Sequence, residues 1–405
     1  MNTNTTAMNP ALLNAFGAEI EAVKQRALAD RGERDARYIK KLVKIHHLLT
    51  IGARLSIFAS LLFLPASLFG FSIALSIASW PLFWLLFSAG SIGLGIAKIL
   101  DNMEIGHNII HGQYDWMGDP RFHSRHYDWD TNCPGDQWAH SHNYEHHTYT
   151  NILDKDRDIG YGILRMDPAQ KWHPAYLANP IFATLLMLFF DMGVALHGVE
   201  IDSLRSGRKT FKDVWPELKL SLRKTAQIWG KDFILYPLLA GPLFPVVLAA
   251  NVSASVIRNI WSFSIIFCGH FPDGVHSFTE ASCENESRGR WYYRQLLGSA
   301  NLTGGKLFHV MSGNLSHQIE HHLFPDVPAH RYAEMSVEVR QICEKYGLPY
   351  NTGPLYSQYA TVWVKIFKLA LPPRNTPAPQ AAYSTGRSTS RSLDRLGLVH
   401  LTVLP

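Results

Sequence analysis

Between residues 51 and 98 the chain carries only two charges, Arg54 near the start and Lys98 at the end. About 20 apolar residues in a helix cross the roughly 30 Å of hydrocarbon in a bilayer. The stretch therefore predicts two spans, 51–75 (IGARLSIFASLLFLPASLFGFSIAL) and 76–98 (SIASWPLFWLLFSAGSIGLGIAK), arranged as a hairpin. Pro65 and Gly70 predict a bend near the end of the first. Just before it, residues 33–46 (ERDARYIKKLVKIH) are basic. Lys and Arg beside a span mark the cytoplasmic side, so the hairpin returns the chain to that side near Asp101. The composition agrees. The chain is 47% hydrophobic and 18% charged, below the quarter or so of charged residues in soluble domains.

The rest of the chain alternates polar and apolar segments. Residues 181–199 are apolar but contain Asp191 and His197, which predicts an interfacial or buried helix, with a full span as the alternative. Residues 233–250 and 252–270 predict a second hairpin. Four spans and one interfacial helix leave the polar segments 101–178 and 271–371 on one side of the membrane. From Leu371 onward Pro, Ser, Thr and Ala dominate, the composition of a disordered tail. The expected division is a cytoplasmic N-terminal arm with an amphipathic helix over 1–48, of which 1–30 is loose, a membrane domain over 49–371, and a tail over 372–405. The N-terminus lacks the basic and apolar regions of a cleavable signal. Cys133, Cys268, Cys283 and Cys343 have no C-x-x-C spacing, which predicts a reducing compartment. The net charge of +5 is not gathered into a basic stripe, so nucleic acid is not an expected partner. Anionic headgroups or a phosphate-bearing acyl carrier suit that charge better.

The chemistry lies in the 20 histidines. His107 and His111 follow the second span. His142, His146 and His147 lie in WAHSHNYEHHTYTN, and His321 and His322 close GNLSHQIEHHLFP, with His317 and Gln318 just ahead. Residues four apart share a helix face, so such imidazoles suit one metal. Adjacent ones diverge by about 100° on a helix and can feed two metals side by side. A pair of redox metals ligated mainly by imidazole is consistent with iron. Glu104, Glu145 and Glu320 are the nearby carboxylates expected to orient the rings. His123, His126, His140 and His173 read as supporting or surface residues.

The strings H107NIIH111, H142NYEH146H147TYTN and Q318IEH321H322LFP resemble the three histidine boxes of the membrane fatty acid desaturases, with the boxes and spans in the same order from about Leu49 to Arg331. The match is nearest to the acyl-lipid and acyl-CoA branch with Gln opening the third box, and to bacterial desaturases of the linoleoyl-CoA or stearoyl-CoA kind. The resemblance implies an all-α integral membrane fold: four transmembrane helices in two hairpins, interfacial helices, and a cytoplasmic helical cap holding a di-iron site. It implies two non-haem irons, O2 as co-substrate, and insertion of a cis double bond into a fatty acyl-CoA or acyl-lipid. The implied ligands are His107, His111, His142, His146, His147, His321 and His322. His270 in IIFCGHFPDG takes the place of the family's outlying histidine, and His276 is its runner-up. Gln318 stands where the family offers a histidine, and His317 is its possible substitute. The chain has no iron–sulfur, dinucleotide or haem string, so electrons are expected from a separate ferredoxin, cytochrome b5 or flavin reductase. Basic segments 33–46 and 203–231 are candidate docking surfaces. The alternative is a histidine-box membrane di-iron hydroxylase acting on alkane, carotenoid or fatty acyl substrates.

Overall fold

The computed structural model describes residues 9–64, 73–205 and 207–373. The described chain is mostly helical. In order it forms α1 (Pro10–Ala29), α2 (Glu33–Ser60), α3 (Ile73–Ile99), α4 (Asn179–Leu188), α5 (Phe190–Gly198), α6 (Phe211–Trp229), α7 (Phe244–His270), α8 (Arg288–Leu297), α9 (Gln318–Leu323), α10 (Tyr332–Lys345) and α11 (Leu355–Ala370), with shorter helical turns between. Two three-residue strands, β1 (Asn301–Thr303) and β2 (Thr352–Pro354), pair in parallel, with Leu302 opposite Gly353.

Among the described residues, three helical stretches are long and apolar enough to cross a membrane, Glu33–Phe63, Ser79–Ile110 and Gly241–His270, and the bent pair Pro174–Leu188 and Phe190–Gly198 makes a fourth if it is one span. α2 begins where the Asp35 carboxylate accepts the backbone N–H of Gly32 at 2.8 Å, a local N-terminal cap. It runs unbroken through the basic segment into the apolar one. Residues 65–72, with the bend expected there, lie outside the described residues. α3 packs against both α2 and α7. Its closing charge, Lys98, is buried and satisfied by Asp232 at 2.5 Å and Asp130 at 3.4 Å, while Arg54 reaches Asp232 at 2.8 Å. The only two charges of the apolar stretch are thus paired with acids from distant segments, which is how charges at such depth are tolerated.

The second hairpin differs from its expected form. Residues 233–250 are not one helix. α6 continues through a π-helical stretch, Gly230–Leu235, and a final turn, Tyr236–Leu238. The chain then reverses at Gly241–Leu243 and enters α7. Gly241 has φ +55°, a conformation glycine adopts without steric cost, and Pro242 and Pro245 suit the opening turns of the helical segments they start. The reversal falls about ten residues before its expected place. The segment 181–199 is also broken: the helices on either side of Phe189 meet at 96°.

α1 is not loose. Leu13, Phe16, Ile20 and Val23 are buried in one core with Tyr292, Ile319, Phe324 and Tyr332. Gly17 and Gly289 let α1 and α8 touch backbone to backbone: a Cβ on Gly289 would lie 2.1 Å from the Leu13 carbonyl oxygen. The start of α2 is clamped as well, by a bidentate contact from Arg331 Nε and Nη2 to Asp35 at 2.7 and 2.8 Å. The N-terminal segment therefore braces α9, which carries the third histidine string, and α10 beyond it. Gly289→Val should force α1 off α8, at an overpacking cost of about 1–3 kcal/mol. The expected result is a lower melting temperature in detergent and faster proteolysis within residues 10–30. An unchanged melting temperature and protease pattern would contradict this packing.

Candidate metal centre

α3 does not stop at its last α-helical turn. It widens into a π-helix, Leu100–Gly106, then resumes as His107–Ile110. The second string behaves likewise: Gly135–Trp138 is α-helical, Ala139–His146 is π-helical and His147–Tyr149 is α-helical. Single π turns inside α-helices are rare and recur at functional sites. Here each shifts the register beside a histidine pair. α9 carries the third string, and His270 ends α7.

These four segments bring eight imidazoles together. The ligand atoms of His107, His111, His142 and His321 lie within 4.8 Å of one another, as do those of His146, His270 and His322, and those of His147, His321 and His322. His321 and His322 therefore belong to more than one grouping, and the cluster reads as two adjacent centres. The inward atoms are the Nε2 nitrogens. Those of His107, His111, His142 and His146 are buried with no hydrogen-bond partner. His147 Nε2 lies 3.1 Å from His321 Nε2, and His322 Nε2 lies 3.2 Å from His270 Nε2.

The electrostatics favour neutral rings. Burial, reinforced by neighbouring imidazoles, holds His111, His147, His321 and His322 well below the ordinary histidine value. His146 is the exception. Burial pushes it down, but the Asp156 and Asp158 carboxylates outweigh that and raise it to about 9. Buried polar atoms are normally satisfied. A buried set of imidazole nitrogens converging in overlapping groups, four of them without any partner and nearly all on neutral rings, fits metal cations.

The opposite ring nitrogens show how the imidazoles are held. His146 Nδ1 donates to Asp156 at 3.0 Å, His107 Nδ1 meets Asn108 Oδ1 at 3.0 Å, and His322 Nδ1 meets Gln295 Oε1 at 3.0 Å. Asp158 lies 3.6 Å from His142 Nδ1 and 2.8 Å from His197 Nε2. The orienting carboxylates are therefore Asp156 and Asp158, not the three expected glutamates. Glu104 accepts from Tyr38 and Asn314, Glu145 from Arg157, and Glu320 from Asn301 and Tyr350. The spacing in H146HTYTNILDKD156RD158 is a usable signal, easily missed because it lies beyond the histidines rather than among them. α8 supplies a second support that sequence reasoning missed. Arg294 donates to the carbonyls of Thr148 and Thr150 at 2.9 and 3.1 Å while held by Glu286, and Gln295 donates to the His147 carbonyl at 3.0 Å.

The remaining candidates separate. Gln318 Nε2 lies 2.8 Å from His270 Nε2, at the edge of the cluster. His317 points elsewhere: its ring lies 4.6 Å from that of His309, and its Nδ1 is 3.8 Å from Glu320. Burial and His309 push it down to about 4. His276 is half-buried. Among the described residues, no group of candidate ligands includes His317 or His276.

The family model for fatty acid desaturases matches residues 78–354, which covers every one of these histidines. The chain is a member of the fatty acid desaturase family. It is thus an oxidoreductase, a fatty acyl desaturase by family. It is 41% identical over 369 residues to the NADPH-dependent stearoyl-CoA 9-desaturase of Mycobacterium tuberculosis (strain ATCC 25618 / H37Rv), covering 90% of this chain and 82% of that protein. It is 26% identical over 275 residues to the sn-1 linoleoyl-lipid 6-desaturase of Synechocystis sp. (strain ATCC 27184 / PCC 6803 / Kazusa), covering 66% of this chain and 76% of that one. It is 25% identical over 228 residues to fatty acid desaturase 3 of Homo sapiens, covering 54% and 46%. In this desaturase Asp156→Asn should weaken metal binding by about 10–100-fold, the usual cost of losing a carboxylate behind a ligating histidine. Chelator competition on the purified protein reads this directly. Wild-type retention of metal in the variant would contradict the role given to Asp156.

Proposed function

We propose that this desaturase inserts a cis double bond into a fatty acyl-CoA, using two irons held by His107, His111, His142, His146, His147, His270, His321 and His322. One observation supports the reading above the others. A cavity reaches the imidazole cluster. His107, His142, His270 and Gln318 lie at its metal end, and Met103, Trp138, Tyr161, Phe190, Val194, Ile266 and Leu315 give it apolar walls. Ligand sites are commonly largely apolar clefts with a few placed polar groups. A hydrocarbon chain in the cavity would lie against the metals.

When bound, a pair of irons supplies the O2 chemistry that removes two hydrogens from neighbouring methylenes and yields water. The protein's share is separate. The histidines bind and space the metals. Asp156, Asn108 and Gln295 fix the rings through their other nitrogens. The aromatic and aliphatic walls exclude water and hold the chain beside the cluster. The hydroxylase alternative shares all of this and differs only in the product.

Acyl-CoA is preferred over acyl-lipid because the relative matched over most of both chains is named for stearoyl-CoA. That relative is also named as NADPH-dependent, which supports a separate reductase or electron carrier as partner. The basic residues of 33–46 support a cytoplasmic site by the positive-inside rule. On this reading Ser79–Ile110 and Gly241–His270 each cross the bilayer and continue beyond it into the cap, α2 and the end of α6 complete two hairpins, residues 49–371 act as one membrane domain with the preceding arm docked on it, and the stretch from 372 forms a tail.

Expression in a host lacking the product, with gas chromatography and mass spectrometry of the fatty acid methyl esters, should show a new monounsaturated acid. A hydroxylated product would contradict the desaturase reading and favour the hydroxylase. His321→Ala removes a ligand shared by two groupings. It should lower turnover by at least about 1,000-fold, loss of an essential metal site being all but complete, while membrane insertion is kept. Activity within tenfold of wild type would contradict its role.

A further inference from the structure

The cavity beside the cluster has two unlike ends. At the end away from the metals its wall includes Asp191 and Arg258. Arg258 stands on α7 twelve residues before His270, about 18 Å along the axis at 1.5 Å per residue. Its guanidinium is buried. Nη2 donates to Asp191 at 2.5 Å and Nε to Asn259 at 2.8 Å. Asn132 and Asn259 also donate to Asp191, at 2.8 and 3.1 Å. Nη1 of Arg258 is buried with no hydrogen-bond partner. Just past this pair the seam between α3 and α7 is shut: a Cβ on Gly95 would lie 3.0 Å from Ile257 and 3.3 Å from the Ala254 carbonyl oxygen. Apolar side chains line the cavity together with a few neutral polar ones, Asn102, Thr131 and Ser141 among them, and the charged Asp191–Arg258 pair forms its floor.

We propose that the Asp191–Arg258 pair is the length stop of the acyl cavity, setting how many carbons can lie beyond the metals. This rests on the acyl desaturase reading above. Each methylene buried along the apolar walls raises affinity roughly fourfold. The methylene that reaches the Asp191–Arg258 pair instead meets a charged, closed wall, where it must crowd the ion pair and gains no apolar burial. The gain per carbon therefore ends abruptly at one length. Both residues act by limiting where the chain can sit and touch no reacting atom.

The test is calorimetric binding of saturated acyl-CoAs, increasing by two carbons at a time, to the oxidised holoenzyme without reductant, so that nothing turns over. For the wild type, affinity should climb with length and then turn over sharply. In D191L/R258M, which makes the floor apolar without leaving a lone charge, the turning point should move to longer chains. The first chain that the wild type rejects should gain at least about tenfold, less than two methylenes of burial can supply. D191N/R258Q keeps the floor polar and should keep the wild-type turning point. The inference is overturned if the wild type shows no turning point, if D191L/R258M keeps the wild-type one, or if D191N/R258Q moves as far as D191L/R258M. The wild-type series needs no variant to fold. Failure to bind acyl-CoA of any length would contradict the acyl reading itself.

Discussion

Eight imidazoles cannot be buried with their lone pairs facing one another unless something positive lies between them. At the 3.1–3.2 Å separations between His147 and His321 and between His270 and His322 two lone pairs repel unless a proton or a cation lies between them, and a buried acceptor without a donor costs free energy. Much of the surrounding architecture can be read as a means of holding that arrangement. Two π-helical turns set the registers beside the first two strings. A carboxylate, a carboxamide or an amide side chain fixes the far nitrogen of His146, His107 and His322. α8 holds the carbonyls at the end of the second string through Arg294 and Gln295, and α1 braces α8 in turn through glycine-to-glycine contact. Stability and site geometry are therefore coupled from the N-terminal helix inward.

The same coupling explains where the chain tolerates charge. Lys98, Arg54, Asp232, Asp191 and Arg258 are buried or nearly so within or beside the apolar helices, each with an opposite partner from a distant segment. Such pairs add little net stability, but removing one partner strands the other. They tie α2, α3, α5, α7 and the end of α6 into one register, and one of them bounds the cavity that reaches the metals.

Much of this was legible in the sequence. The apolar stretch 51–98 and the three histidine strings identify themselves because span length and ligand spacing are local properties. His270 was legible only through resemblance to the family, since nothing local sets a lone histidine at a helix end apart. The reversal at Gly241 was hidden because the residues on both sides are uniformly apolar, although Gly241 and two prolines marked it. The spacing of Leu13, Phe16, Ile20 and Val23 already described one helix face, but the polar residues around it obscured that α1 is buried. Asp156 and Asp158 lie 10 and 16 residues beyond the rings they hold and were legible only in a wider window, while Arg294 and Gln295 act from almost 150 residues away, which no window of sequence reveals.

The most direct test of the account is the metal itself. Elemental analysis with Mössbauer and X-ray absorption spectroscopy on the purified full chain should find two irons per chain, close enough to couple magnetically, in a shell dominated by nitrogen. A single iron, a zinc-loaded site, or an oxygen-dominated shell would contradict the convergence of the eight histidines on a pair of irons.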